Sequence, residues 1–322
     1  MSKNKEHITS IGGQAVMEGV MMRGPHKTAI AVRKPDKEIA LKIDENGTKK
    51  RNKFLKLPII RGCINFVDSL IVGMKALMYS AEFIDLEEEN EKESKFDKWL
   101  NDKLGDKIKD VVIYVSIILS LFLSVGLFIL LPTLLADFIA WIFSLTPASD
   151  VSDARIFRPL IEGVSRMVIF IGYLSLTSLM PDIRRVFEYH GAEHKTIACF
   201  EAGEELTAEN VRKHSRLHPR CGTSFLLFVM IISIIIFSLL PQAPNIFIKV
   251  LMRLALLPVV AGLSYEVIKL AGRSKNSCVR FLTKPGLWLQ KITTREPDDS
   301  QIEVAIASMV PVIPENSEDD KW

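Results

Sequence analysis

One uncharged segment limits the fold of this chain more than any other. The run VVIYVSIILSLFLSVGLFILL, from Val111 to Leu131, is about as long as a helix must be to cross a bilayer core. The 322 residues include 41 Lys and Arg and 38 Asp and Glu, yet the mean hydropathy is +0.21. Apolar and charged residues must therefore occupy separate blocks. These properties predict a membrane protein.

Three further apolar segments are predicted to cross the membrane: about residues 160–180, 224–240, and 247–263 with an extension towards 270. In the first of these, Glu162 and Arg166 lie four residues apart and can form an ion pair on one helix face. The segment from Leu134 to Leu145, which follows Pro132, is too short to span. It is predicted to be either an interfacial segment or a kinked continuation of the first helix.

The distribution of positive charge predicts an orientation. The two connections expected outside the cell hold only Arg155, Arg158 and Lys249, whereas the other flanking segments are rich in Lys and Arg, beginning with Lys98, Lys103 and Lys107. The positive-inside rule therefore places both termini and the middle connection in the cytoplasm. A net charge of +3 gives no indication of a nucleic-acid partner. Membrane lipids, and envelope proteins as further candidates, are the expected partners.

The predicted fold class is mainly α, with about four transmembrane helices and a small cytoplasmic α+β segment. Residues 1–109 would form that segment, residues 110–270 the membrane domain with a cytoplasmic loop at 181–223, and residues 271–322 a cytoplasmic tail. The stretch from Thr28 to Ile43 predicts a β-hairpin. Gly62 to Ile84 predicts an amphipathic or fully covered helix that could lie on the membrane surface.

The predicted cytoplasmic loop contains four of the six histidines in the chain. His190 to His194 matches H-x-x-E-H, in which two histidines at i and i+4 share a helix face and the glutamate polarises water at a metal ion. Glu193 is thus the predicted general base. His214 and His218 repeat the spacing, and Cys221 follows. Zinc accepts His nitrogen and Cys sulfur, and a catalytic site needs three such ligands, so the candidates outnumber the positions available.

Two other segments carry candidate functional residues. Glu266 lies near the cytoplasmic end of the fourth predicted span, where a carboxylate is costly unless it is paired or functional. It is therefore either a further metal ligand or a salt-bridge or snorkelling residue. The stretch Gly12 to Pro25 holds four glycines with Glu18 and Arg23. It predicts either a loop whose amides cradle an anion or a tight turn.

Four segments together resemble a known family. They are GGQAVMEGVMMRGP, EYHGAEHK, HPRCGTSF and PGLWLQKITTREPDDSQIEVAIAS. They are similar to the YqhQ family, a group of bacterial multi-span membrane proteins of unknown function labelled as predicted metal-dependent enzymes. The resemblance extends from Ile11 to about Met309. It implies a bacterial inner-membrane location and a divalent metal.

Two classes of function remain open. The first is a metal-dependent hydrolase, with zinc as the expected ion, acting on an amide, ester or phosphoester near the membrane surface. The second is a membrane regulator or scaffold of an envelope or lipid process, with a structural metal or none. In the second class the histidines and arginines of the loop would be exposed side chains or lipid-headgroup contacts. A transporter is less favoured, because the charged residues of the spans lie near their ends.

Overall fold

A computed structural model describes residues 8–47, 57–88, 108–142, 151–241, 245–273 and 277–320. Contacts divide the chain into two compact units. The first comprises residues 1–85, 174–232 and 254–322, and the second comprises residues 86–173 and 233–253. The three consecutive segments predicted from the sequence were defined by their location in the cytoplasm or the membrane. Contacts within the chain do not test that location. Lys98, Lys103 and Lys107 lie outside the described residues.

The N-terminal part of the first unit is an antiparallel sheet with the strand order β1-β2-β3-β4. Its strands are Gly12–Val16 (β1), Gly19–Arg23 (β2), Lys27–Arg33 (β3) and Ile39–Glu45 (β4). Strands β3 and β4 pair from Lys27 with Glu45 to Arg33 with Ile39, which confirms the predicted hairpin.

The predicted loop at Gly12 to Pro25 is wrong, because this stretch forms the hairpin β1-β2. Burial on both faces explains the difference. Val20 and Met22 face one apolar cluster, and Val16 and Met21 face another. The apolar area that these side chains remove from water offsets the entropy lost by ordering the glycines.

The described helices are, in chain order, Ile60–Glu88 (α1), Ile108–Val125 (α2), Leu131–Ile142 (α3), Val151–Thr177 (α4), Pro181–Glu201 (α5), Ala208–Lys213 (α6), Gly222–Ser238 (α7), Ile246–Arg273 (α8), Ser277–Thr293 (α9) and Asp299–Met309 (α10). Helices α5 and α10 cover one face of the sheet, where Tyr189 and Ile302 are fully buried. Helix α1 covers the other face through Val72, Ala76 and Tyr79. The sheet is thus the middle layer of the first unit.

Among the described residues, four helical segments are long and apolar enough to cross a membrane: Ile60–Phe83, Ile118–Ile142, Phe157–Thr177 and Phe247–Leu270. The last two correspond to predicted spans. The predicted third span is helix α7, whose 17 residues reach about 26 Å, less than a typical hydrocarbon core. Helix α1 qualifies instead by length and composition. Part of α1 packs on the sheet. Its location on the membrane surface stays a prediction.

Pro132 does not end the first predicted span. A π-helical segment, Gly126–Leu130, joins α2 to α3, so the continuation of the first helix past Pro132 is confirmed, and the interfacial location stays a prediction. Pro132 has no N–H to donate to the carbonyl of Phe128, four residues earlier. The Nε of Arg166 donates to that carbonyl instead, at 2.9 Å. A side chain from another helix thus replaces the hydrogen bond that the proline removes.

Candidate metal centre

Helix α5 carries His190, Glu193 and His194 on its buried central turns. The helix begins at Pro181, where a proline is tolerated because the first N–H groups of a helix have no intrahelical partner. Gly191 allows another segment to approach closely. A Cβ at Gly191 would lie 1.9 Å from the carbonyl oxygen of Arg295. The glycine in the H-x-x-E-H motif therefore brings the chain after α9 against the site.

Both histidines of the motif are oriented by backbone carbonyls. The Nδ1 of His190 lies 2.8 Å from the oxygen of Thr293, and the Nδ1 of His194 lies 2.6 Å from the oxygen of Arg216. A carbonyl can only accept, so the proton of each neutral imidazole is on Nδ1 and the lone pair is on Nε2. Metal-binding histidines are commonly oriented in this way.

Cys221 completes a group of three possible ligands. One ligand atom each from His190, His194 and Cys221 lies within 4.8 Å of the others. The Nε2 of His190 is 3.2 Å from the Cys221 sulfur. Cys221 immediately precedes α7, and the N–H of Thr223 points at its sulfur at 3.4 Å. The sequence predicted His190 and His194 as ligands and left Cys221 among several candidates for completing the site.

The charges of this group are strongly coupled. Burial by itself would raise the pKa of the Cys221 thiol. The imidazoles of His190 and His194 together lower it by more, so the net pKa is well below its usual value. Burial would lower the pKa of His190, and the sulfur of Cys221 raises it, to about 9. Cys221 is therefore favoured as a thiolate paired with protonated His190, and a metal ion bound at Nε2 of His190 would displace that proton.

Glu193 is fully buried next to the three possible ligands. Burial raises the pKa of its carboxyl. The backbone of Gly13 opposes this shift, and a Cβ at Gly13 would lie 2.8 Å from the Cγ of Glu193. One carboxyl oxygen, Oε2, has no hydrogen-bond partner within the described part of the chain. Buried polar atoms are rarely left without a partner, so this oxygen is suited to a ligand or water in the site.

His218 lies beside the group but is not part of it. Its ring is 5.6 Å from the ring of His194. Its Nε2 is 3.6 Å from the Glu201 carboxylate and 3.2 Å from the guanidinium of Arg220. Burial lowers the pKa of His218 despite the nearby carboxylate. The imidazole of His218 therefore belongs to a polar network with Glu201 and Arg220, next to His194.

The structure places His214 in a different group. Helix α6 ends at Lys213, and His214 has an extended backbone, so His214 and His218 do not share a helix face. The Nε2 of His214 is 3.2 Å from Glu204, and these residues form a second cluster with Cys199. Burial raises the pKa of the Cys199 thiol, which donates to the carbonyl of Glu205. A protonated thiol is a poor metal ligand, so this cluster is the weaker candidate.

Glu266 is also outside the His-Cys group. Its two carboxylate oxygens accept from Nε and an Nη of Arg61, at 2.7 and 2.5 Å. This is the salt bridge that sequence reasoning left as one of two alternatives.

Gly13, which lies against Glu193, also lines a cavity of about 490 Å³. Gly12, Gly13 and Arg23 of the first hairpin line it, together with Ser69 of α1 and Asp319 near the C-terminus. Gly13 faces the cavity and also contacts Glu193. The glycine stretch and the H-x-x-E-H motif therefore belong to one region, a relationship that no local sequence signal reveals.

The donor set suits a transition metal. Two imidazole nitrogens and one thiolate are ligands that zinc accepts, and three protein ligands leave a fourth tetrahedral position open. The unpartnered Oε2 of Glu193 and the carbonyls behind each histidine agree with that arrangement. Residues His190, His194 and Cys221 therefore fit a zinc-like ion.

Comparison with known proteins assigns the family. Residues 57–315 match the family model described as "Protein of unknown function (DUF1385)". The chain is 38% identical over 318 residues to "Uncharacterized protein YqhQ" of Bacillus subtilis (strain 168), covering 96% of this chain and 93% of the relative. No solved structure matches. On the extent of both matches, the chain belongs to the DUF1385 family, which includes YqhQ.

Proposed function

We propose that this protein is a bacterial multi-pass membrane protein with a cytoplasm-facing divalent-metal centre that catalyses hydrolysis. His190, His194 and Cys221 are the ligands, zinc is the metal, and Glu193 is the general base. The apolar helices support insertion in the membrane. The observation that carries the proposal is the convergence of three ligand atoms within 4.8 Å beside a buried carboxylate, one oxygen of which has no hydrogen-bond partner among the described residues.

Each residue has a separate role in this proposal. A bound zinc ion supplies Lewis acidity towards water and towards a substrate carbonyl or phosphoryl oxygen. Glu193 accepts a proton at Oε2, because this oxygen has no hydrogen-bond partner within the described part of the chain. The raised pKa of Glu193 makes the carboxylate a better base near neutral pH.

Metal content tests the centre. Detergent-purified protein should contain about one zinc ion per chain by elemental analysis, and the His190→Ala/His194→Ala double variant should lose it. His214→Ala is the matched control, because this histidine lies in the other cluster. Wild-type protein without bound metal, or equal loss in His214→Ala, would remove the proposed site.

The alternative, a regulator with a structural metal, requires a different test. Glu193→Gln keeps the size of the side chain but removes the base. If this variant binds zinc and restores function in a deletion strain, while the histidine variants do not, the centre is structural. If it binds zinc and fails to restore function, hydrolysis is supported.

A further inference from the structure

A buried carboxylate in the second unit is surrounded by three cations. The side chain of Glu162 is only 3% exposed. It accepts from Arg166 at 2.9 Å, from Lys249 at 2.8 Å, and from both terminal nitrogens of Arg253. The predicted pair of Glu162 and Arg166 is confirmed, and α8 adds the other two partners.

The cluster has a net charge of +2, since three cations share one carboxylate. The remaining contacts supply dipoles and not charge. Arg166 donates to the Phe128 carbonyl, and Arg253 lies over the ring of Phe237 at 5.2 Å. Within the described ranges, no second carboxylate lies at ion-pair distance from these cations. The cluster therefore lacks counter-charge.

Its position makes the excess charge costly. Glu162 and Arg253 lie about 8 and 9 Å along their helices from the starts of the segments Phe157–Thr177 and Phe247–Leu270. Unpaired charges at the edge of a hydrocarbon core are unfavourable unless they reach water, a headgroup or a counter-ion. Lys249 is 28% exposed and is nearest to the segment start, so a ligand can reach its ammonium group.

We propose that this cluster binds the phosphate group of an anionic membrane lipid. Lys249 and Arg253 contact the phosphate, whose charge offsets the excess, while Glu162 holds the cations in place. Exposed apolar side chains on the same two helices offer a surface for the acyl chains, among them Leu160, Val164 and Leu251. A free phosphate ion would not use that surface. The inference uses the proposed membrane insertion but does not depend on the metal centre.

Native mass spectrometry of detergent-purified protein tests the site, with phosphatidylglycerol, phosphatidylcholine and glycerol phosphate as separate probes. Phosphatidylglycerol should be retained over phosphatidylcholine. Lys249→Gln should weaken its retention about fivefold, because each basic residue near an anionic lipid contributes on the order of a kilocalorie. Lys249→Arg should restore it. Glycerol phosphate should bind far more weakly, because it has no acyl chains.

Arg158→Gln is the matched control, since Arg158 in the same unit forms a one-to-one pair with Asp137. Its retention of phosphatidylglycerol should equal that of wild type. Equal retention of the two lipids, or an equal effect of Lys249→Gln and Arg158→Gln, would refute the site. Equal binding of glycerol phosphate and phosphatidylglycerol would show a soluble-anion site and also refute the proposal. Carbonate extraction from membranes tests membrane insertion separately.

Discussion

The main chain of Gly13 lies directly against the side chain of Glu193, since a Cβ at Gly13 would lie 2.8 Å from the Cγ of Glu193. The glycine-rich hairpin at the start of the chain and the H-x-x-E-H helix near its middle thus form one site. On its other side Gly13 lines the cavity that Arg23 also lines. The wall between the carboxylate and the cavity is therefore a single stretch of backbone.

Gly13→Ala should disturb the site without removing a ligand. The new Cβ would lie 2.8 Å from the Cγ of Glu193 and from the carbonyl oxygen of Met21, so the carboxylate must shift. Overpacking of this kind costs about 1–3 kcal/mol. We expect loss of complementation in a deletion strain with zinc content unchanged. Gly12→Ala is the control, since a Cβ there meets nothing within 4 Å. Wild-type function in both variants would contradict the proposed role of Gly13.

Cys221→Ser should weaken metal binding, whereas Cys199→Ser should not. Cys221 lies with the two histidines, but the Cys199 thiol is buried with a raised pKa. Cobalt-substituted protein provides the measurement, because a sulfur ligand gives a charge-transfer band in the near ultraviolet. The band should be absent in Cys221→Ser and present in Cys199→Ser. A band that persists without Cys221 would show that another thiolate binds the ion.

Glu193→Gln should separate binding from chemistry. His190, His194 and Cys221 are unchanged in this variant, so elemental analysis should again find about one zinc per chain. The amide cannot accept a proton as a base, and removal of one general base commonly costs about 10²–10⁴-fold in rate. Glu193→Asp should restore some function because it returns a carboxylate. A Gln variant that has lost its metal would instead make Glu193 a ligand.

Glu266→Gln should affect stability and not metal content. The carboxylate forms a bidentate pair with Arg61, and both side chains are partly exposed. Loss of such a pair costs about 1 kcal/mol, which lowers the melting temperature by a few degrees. Arg61→Gln should have an effect of similar size, and the double variant should cost less than the two single variants together. Reduced zinc in Glu266→Gln alone would return this residue to the ligand candidates.

Local patterns predicted much of this molecule. The spacing of His190 and His194 places them on one helix face, and the stretch from Thr28 to Ile43 correctly predicts the hairpin β3-β4. His214 and His218 have the same spacing, but α6 ends at Lys213, so these two histidines do not share a helix face. The end of that helix depends on packing and not on the spacing.

Long-range contacts account for the rest. Pro132 is a helix-breaking signal in sequence, but Arg166 satisfies the carbonyl that the proline leaves unpaired. Glu266 is equally compatible with a metal site and a salt bridge until Arg61 is placed beside it. The hairpin β1-β2 depends on burial between α1 and α5, which no local pattern reports.

Cys221 stands one residue before Gly222, the first residue of the apolar helix α7. A slide of α7 by one residue along its axis is about 1.5 Å, which is large beside a zinc–sulfur bond of about 2.3 Å. An ion bound by Cys221 and the two α5 histidines would therefore fix the position of the start of α7, along its own axis, relative to α5. In the proposed centre, metal coordination would therefore be mechanically linked to the position of an apolar helix along its axis.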